Sequence, residues 1–242
     1  LIGPNGAGKT TLFDVCSGFV KPAAGRVVLE GVDVTGWSPD RRARAGLGRS
    51  FQDARIFPSL TVVENLAVAL ERHIDVRDPL AAALGLPAVT EAESEVAWRV
   101  HELVELLGLQ DFRNKFVGEL STGSRRIVDL GMAIAHRPSV LILDEPSSGI
   151  AQREAEALGP LLRRIHDELG CSMLVIEHDM PLVTGVADRM IALELGAVIA
   201  DGSPRDVVRD PRVVASYLGD NEGTIARSGA LAGRRRRKAA AG

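Results

Sequence analysis

A glycine-rich segment near the beginning of the chain carries the clearest chemical pattern. Residues 3 to 11 read GPNGAGKTT, which matches G-x-x-x-x-G-K-[ST]. Glycines let successive backbone N–H groups converge on phosphate oxygens with no Cβ in the way. A helix that begins near Lys9 would add its positive N-terminal end, and the Lys9 ammonium would bind the β- and γ-phosphates. We therefore predict a nucleotide phosphate site formed by Asn5, Gly6, Ala7, Gly8, Lys9, Thr10 and Thr11.

A second group of chemically useful residues follows a short apolar run. Residues 140 to 146 read VLILDEP, and a run of four apolar residues is typical of a strand that is buried on both faces. Carboxylates at the end of such a strand lie at the edge where α/β sheets bind ligands. Asp144 and the Thr10 hydroxyl are candidate Mg²⁺ ligands, and Glu145 is placed to orient and deprotonate a water. Alone, the Asp-Glu pair would fit a solvated turn equally well; with the phosphate loop, it predicts a nucleoside triphosphatase.

Alternating strand and helix patterns indicate the fold that must position these groups. Short apolar runs predict strands at 27–30, 140–143, 173–176 and 190–193, and a helical pattern covers 154–169. This alternation predicts an α/β fold with a mainly parallel sheet. Residues 60–116 are rich in Glu, Ala and Leu at helical spacing, which predicts a mainly helical subdomain inserted in the core. The predicted domains are a core of 1–59 and 117–219, the helical subdomain of 60–116, and a tail of 220–242.

The composition indicates a globular protein and argues against a membrane-spanning or disulfide-rich one. The 242 residues are 45% hydrophobic and 25% charged, which is typical of a globular protein with a sizeable core. No uninterrupted apolar run reaches the roughly 18 to 20 residues of a membrane span. Two cysteines, Cys16 and Cys171, are too few for a disulfide framework, so we expect a reducing compartment.

The charge of the chain is distributed unevenly. Its net charge is −3, yet residues 225 to 242 carry six Arg and Lys and no acid, so the remaining residues sum to −9. This acidic remainder argues against nucleic acid as a partner. We expect 220–242 to be a disordered basic tail, with contact to phospholipids as the alternative.

Three further sequence motifs lie between and after the two groups described above. Gln52 lies in GRSFQ, residues 120 to 126 read LSTGSRR, and His178 lies in VIEHD. With the phosphate loop and the Asp-Glu strand, these motifs resemble the Q-loop, the signature (usually LSGGQ) and the switch histidine of ABC ATPases. The resemblance implies a P-loop NTPase core of the ABC cassette type that binds ATP and Mg²⁺. It also implies that Gln52 contacts nucleotide and metal, and that His178 is a catalytic residue facing the γ-phosphate.

The resemblance also implies how two such chains work together. Cassettes of this family dimerise head to tail, so Ser121 and Gly123 would bind the γ-phosphate of the ATP held by the opposite subunit. In isolation, LSTGS would be an ordinary serine N-cap followed by a turn glycine. Ser124 stands where the signature usually has Gln, and Ala151 stands where the family's D-loop has Asp.

Within the ABC family, residues 49–58, residues 60–65 and the TG of the signature resemble the ATP-binding subunits of branched-chain amino-acid importers. That likeness implies transmembrane permease subunits as partners, with a solute-binding protein acting indirectly. It also implies a peripheral location on the cytoplasmic face of the plasma (inner) membrane. The second cassette of the dimer is either an identical or a different chain.

Two alternatives remain beside an importer ATPase. One is a non-transport ABC ATPase of the translation or DNA-repair type, and the other is a nucleotide-binding fragment without turnover. The chain opens on Leu1 and Ile2 without Met, so we expect an N-terminally truncated cassette that lacks the family's upstream strands and adenine-stacking aromatic.

Overall fold

The computed structural model describes residues 1–50, 56–71 and 87–217. They form two compact units: Leu1–Leu12 with residues 187 to 217, and Phe13–Val186. Gln52 and the predicted tail of 220–242 lie outside the described residues. Among the described residues, no helix combines the length and apolar character needed to span a bilayer.

The predicted α/β class is confirmed by the order of the elements. In chain order these are α1 (Lys9–Ser17), β1 (Val28–Leu29), β2 (Val32–Asp33), α2 (Pro39–Arg44), β3 (Leu47–Arg49), α3 (Val62–Leu70), α4 (Pro87–Leu107), α5 (Thr122–Ile134), β4 (Val140–Asp144), α6 (Gln152–Leu169), β5 (Ser172–Ile176), α7 (Met180–Val186), β6 (Met190–Glu194), β7 (Ala197–Gly202) and α8 (Pro204–Val207). Short 3-10 turns cover Gln110–Phe112 and Val117–Glu119.

The larger unit is organised around a parallel sheet in the order β3-β4-β5. β4 lies in the centre, and its register with β5 runs from Val140 opposite Ser172 to Asp144 opposite Ile176. Three successive residues of β4 are buried, at 0%, 1% and 0% exposed for Leu141, Ile142 and Leu143, because both faces of the strand are covered. Asp144 therefore ends a rigid strand at the carboxyl edge of the sheet.

Helices α3, α4, α5 and α6 bury their apolar faces in the core of the larger unit. Gly131 of α5 makes the closest approach: a Cβ there would lie 2.5 Å from Cδ1 of Leu107 and 2.8 Å from Cδ2 of Leu66. A larger residue at position 131 would therefore force both leucine side chains to shift where α3 and α4 pack against α5. α3 and α4 are the helices described within the predicted insertion of 60–116, and 72–86 lie outside the described residues.

The smaller unit attaches the phosphate loop to a β-hairpin. β6 and β7 are antiparallel, with Met190 opposite Gly202. Ile2 forms a parallel bridge to Ala192, so the residue that leads into the loop is paired with β6. The loop is also held by Tyr217, whose hydroxyl accepts a 2.8 Å hydrogen bond from the Gly3 N–H. Burial raises the pKa of Tyr217, so this hydroxyl stays neutral at physiological pH.

The C-terminal end of α1 is held by a buried arginine. Arg42 is 1% exposed, and its Nη1 donates to the carbonyls of Val15 at 2.6 Å and Cys16 at 2.7 Å. Its Nη2 donates to the Thr35 carbonyl at 2.9 Å, and its Nε donates to the Trp37 carbonyl at 3.2 Å. The last carbonyls of a helix have no partner within the helix, so one guanidinium satisfies them and joins α1 to the loop before α2.

Replacing Arg42 tests how much its guanidinium contributes to the free energy of unfolding. Arg42→Met should lower the free energy of unfolding by about 3 kcal/mol, because several buried carbonyls lose their donor. Arg44→Met is the matched control: the Arg44 side chain is 69% exposed and 3.5 Å from Asp40, so its loss should change stability by less than about 0.5 kcal/mol. Urea unfolding of both variants checks this, and equal midpoints would contradict it.

Candidate functional site

The phosphate loop has the backbone that its sequence predicts. Gly6 and Gly8 adopt φ values of +81° and +95°, a region that side chains with a Cβ disfavour. The space around Gly6 is open, since a Cβ there would meet nothing within 4 Å. The Ala7 carbonyl is bound by the N–H of Gly196 at 3.0 Å, which fixes the loop to the β6–β7 turn. α1 begins at Lys9, directly after Gly8, so the N-terminus of the helix adjoins the glycine-rich loop.

Lys9 turns back onto the loop rather than extending into solvent. Lys9 is 7% exposed. Its Nζ donates to the carbonyls of Gly3 at 2.7 Å and Pro4 at 3.0 Å. These two bonds to neutral carbonyls position the ammonium against the loop. Asn5, Gly6, Thr10 and Thr11 are exposed, whereas Ala7 is buried. All these predicted phosphate contacts belong to the smaller unit.

The larger unit brings Glu145 and His178 together. Nε2 of His178 lies 2.8 Å from Oε1 of Glu145, although the two residues are 33 positions apart. The sheet explains the contact: Glu145 follows β4, His178 follows β5, and the N–H of Glu145 extends the ladder to the Ile176 carbonyl at 3.0 Å. Glu145 has φ +49°, a strained conformation for a residue with a side chain. Both residues predicted to be catalytic are thus in direct contact.

Asp144 lies beside a cation that sequence reasoning did not place in the site. Asp144 is 6% exposed, and Nη2 of Arg49 lies 3.9 Å from its Oδ2. Nη1 of Arg49 is also 2.8 Å from Oδ1 of Asp14 on α1. A positive charge next to two carboxylates offsets the free energy of burying them. The signal was available in principle, because Arg49 ends β3 and neighbouring parallel strands end at the same edge.

The predicted signature turn is capped in two ways. Ser121 is the N-cap of α5, and its Oγ accepts from the Ser124 N–H at 3.1 Å. The same hydroxyl donates to Oε1 of Glu154 at 2.8 Å. A Cβ on Gly123 would lie 2.5 Å from Oε2 of Glu154, so that carboxylate covers the first turn of α5. Sequence reasoning missed Glu154, which lies 33 positions away from Ser121.

The oxygen donors of the site fit Mg²⁺. This cation prefers carboxylate, hydroxyl and water oxygens and keeps several waters, so one or two protein ligands suffice. Asp144 and Thr10 supply such oxygens, each within its own unit. Among the described residues, no group of three or more His, Cys, Asp or Glu side chains is arranged to hold a metal ion.

Comparison with known proteins relates 91% of the chain to one group. The family described as ABC transporter matches residues 1–148, and the family described as branched-chain amino acid ATP-binding cassette transporter matches residues 197–223. The chain is 37% identical to the high-affinity branched-chain amino acid transport ATP-binding protein BraF of Pseudomonas aeruginosa, over 91% of this chain and 86% of that protein. It is 36% identical to LivG of Escherichia coli, with the same two coverages.

A solved structure supports the same relationship. The crystal structure of an ATP-binding cassette of an ABC transporter in its ADP conformation matches with a TM-score of 0.74 and 31% identity. The match covers 90% of this chain and 86% of that one.

The left-handed backbone of Glu145 gives a direct test of the site's geometry. Glu145→Gly should be more stable than Glu145→Ala by about 1 kcal/mol, because both lose the carboxylate but only alanine keeps a Cβ at φ +49°. At exposed, helical Glu156 the order should reverse, with alanine more stable than glycine by about 1 kcal/mol. Chemical unfolding of the four variants decides this; alanine equal to glycine at position 145 would contradict the strain.

Proposed function

The chain belongs to the ATP-hydrolysing nucleotide-binding subunits of ABC transporters, and we propose from this premise that it energises an importer of branched-chain amino acids or similar small solutes. Support for the solute class comes from BraF and LivG, whose names state high-affinity branched-chain amino acid transport. The same likeness favours an importer over a non-transport ATPase of the translation or DNA-repair type. The contact between Glu145 and His178 carries the proposal that this chain turns ATP over rather than only binding it.

The phosphates of ATP bind, in this proposal, to the loop that ends at α1. The N–H groups from Asn5 to Thr11 bind the phosphate oxygens, and the Ala7 N–H leaves the Pro4 carbonyl, which it contacts at 3.2 Å, to do so. The Lys9 ammonium moves from the loop carbonyls to the β- and γ-phosphates, exchanging neutral acceptors for charged ones.

The metal ligands are proposed to be Asp144, Thr10 and Gln52. When bound, Mg²⁺ supplies positive charge that stabilises the phosphate oxygens in the transition state. Arg49 remains beside Asp144 and keeps its carboxylate fixed at the end of β4.

The chemical step is assigned to the contacting pair. The Glu145 carboxylate accepts a proton from the attacking water, since it lies on a rigid strand end. His178, held to Oε1 of Glu145, contacts the γ-phosphate and fixes the direction in which the carboxylate points. Because one hydrogen bond fixes the two side chains relative to each other, they align the water without first having to change rotamer.

The second half of the site is proposed to come from another cassette. Ser121 and Gly123, at the N-terminus of α5, bind the γ-phosphate of ATP held by an identical or different subunit. The Glu154 carboxylate that now covers this turn has to leave before the phosphate arrives. ATP thus joins the two cassettes, and its hydrolysis releases them.

The partners follow from membership of the family. ATP-binding subunits of ABC transporters work with transmembrane permease components, and we propose that the predicted subdomain of 60–116 and the Q-loop region around Gln52 form the docking surface. We also propose that the chain is divided into a core of 1–59 with 117–219, a mainly helical subdomain of 60–116, and a tail of 220–242. The subunit would bind peripherally to the cytoplasmic face of the inner membrane, with a solute-binding protein acting indirectly and no nucleic acid involved.

The phosphate loop is tested by its lysine. Lys9→Ala should weaken ATP binding about 10- to 100-fold, because a charged hydrogen bond to phosphate is lost. Hydrolysis should fall below about 1% of the original rate, since that charge also stabilises the transition state. Lys21→Ala, which removes an exposed lysine, is the control and should change neither quantity. Calorimetric titration and phosphate release measure both, and unchanged turnover in Lys9→Ala would remove the assignment.

The base and the signature should fail in different ways. Glu145→Gln keeps the size of the side chain but cannot accept the proton, so ATP should still bind and should hold a dimer together. Ser121→Arg should leave binding to the monomer intact and prevent ATP-dependent dimerisation, because it fills the turn at the N-terminus of α5. Size measurements with ATP and Mg²⁺ distinguish the two; identical behaviour of the variants would argue against a site shared between subunits.

A further inference from the structure

A buried carboxylate lies next to the catalytic pair without belonging to it. Glu177 directly follows β5 and is 2% exposed. Its Oε1 accepts from the N–H of Ser147 at 2.7 Å, and its Oε2 accepts from the N–H groups of His178 at 3.0 Å and Asp179 at 3.4 Å. An ionised carboxylate is costly to bury unless donors surround it, and here three backbone N–H groups do so.

These donors come from two different loops. Ser147 belongs to the loop after β4, whereas His178 and Asp179 belong to the loop after β5. The regular pairing of the strands ends with the bond from the Glu145 N–H to the Ile176 carbonyl at 3.0 Å. Beyond that bond, hydrogen bonds to the Glu177 carboxylate connect the two loops.

Both residues of the catalytic pair lie on the segments that Glu177 ties. Glu145 is two positions before Ser147, and its own carbonyl accepts from the Ser148 N–H at 3.0 Å, which closes the turn that contains both residues. His178 is bound through its backbone N–H to Oε2 of Glu177 and through its ring to Glu145 at 2.8 Å. A shift of either loop would therefore change the distance between the Glu145 carboxylate and the His178 ring.

We propose that Glu177 is a positioning residue for ATP hydrolysis: its buried carboxylate binds the backbone of both loops and thereby sets the placement of Glu145 against His178. The proposal rests on the roles given above to Glu145 and His178. In the contacts described, both of its oxygens accept from backbone N–H groups, so the role assigned to Glu177 is to hold the two loops rather than to bind substrate.

The test uses the amide isostere. Glu177→Gln keeps the shape but turns one acceptor oxygen into an NH₂ group that faces a backbone N–H, so one loop is released. We expect kcat for ATP hydrolysis to fall about 10- to 100-fold, as for misplacement of a catalytic group by about 1 Å. The Kd for ATP should stay within about twofold, because the phosphate loop is untouched. Glu177→Asp, which keeps the charge on a shorter side chain, should lose activity to a smaller extent.

Asp179→Asn is the matched control. It removes a neighbouring negative charge, yet the Asp179 side chain binds only within its own segment in the bonds described, where Oδ1 caps Leu182 at 2.9 Å. Asparagine is as good a cap as aspartate, so kcat should stay within about twofold. A drop in Asp179→Asn equal to that in Glu177→Gln would overturn the proposal, since charge alone would then explain the loss.

A double-mutant cycle separates positioning from general stability. If Glu177 acts through Glu145, then Glu177→Gln should change the residual rate of Glu145→Gln by less than about twofold, because the base is already gone. A merely structural role would lower the rate by the same factor in both backgrounds, and this outcome would overturn the proposal, as would a kcat for Glu177→Gln within twofold of the original. Full turnover in Glu145→Gln alone would instead contradict the proposed function.

Discussion

The register between β4 and β5 is the constraint on which the chemistry of the larger unit depends. Asp144 lies opposite Ile176, so the residues that follow each strand emerge at one edge and side by side. Side chains alternate along a strand, and a shift of one position would send each of them to the other face. The continuous apolar runs that bury β4 on both faces therefore also place Glu145 and His178 within 2.8 Å of each other.

Buried charges at this edge contact groups whose own positions are fixed by the fold. Arg49 is fixed between Asp14 and Asp144, and Glu177 is surrounded by backbone N–H groups that belong to the ends of strands. Such groups are already oriented before any substrate arrives, so little reorganisation is required at the moment of reaction. In the smaller unit, Lys9 follows the same principle, with loop carbonyls as its acceptors.

Much of the fold could be predicted because burial leaves a direct trace in the sequence. The apolar runs at 140–143, 173–176 and 190–193 are strands, and the helix predicted over 154–169 begins two residues earlier, at Gln152. The strand predicted at 27–30 is shorter, covering Val28–Leu29. Arg49, Glu154 and Glu177 were missed for a common reason: each acts on a residue or loop brought close by strand pairing or helix packing, which local patterns do not reveal. The nucleotide and metal contacts remain predictions, and Gln52 lies outside the described residues.

The contact between Glu154 and Ser121 means that the chain carries its own competitor for anions. The N-terminus of α5 favours negative charge, and a carboxylate already lies there at 2.8 Å from the Ser121 hydroxyl. Because this carboxylate is tethered, its effective concentration does not fall when the protein is diluted. In the proposed dimer a phosphate has to displace this carboxylate, so the apparent affinity of the turn for every anion is lowered by the same factor, free phosphate included.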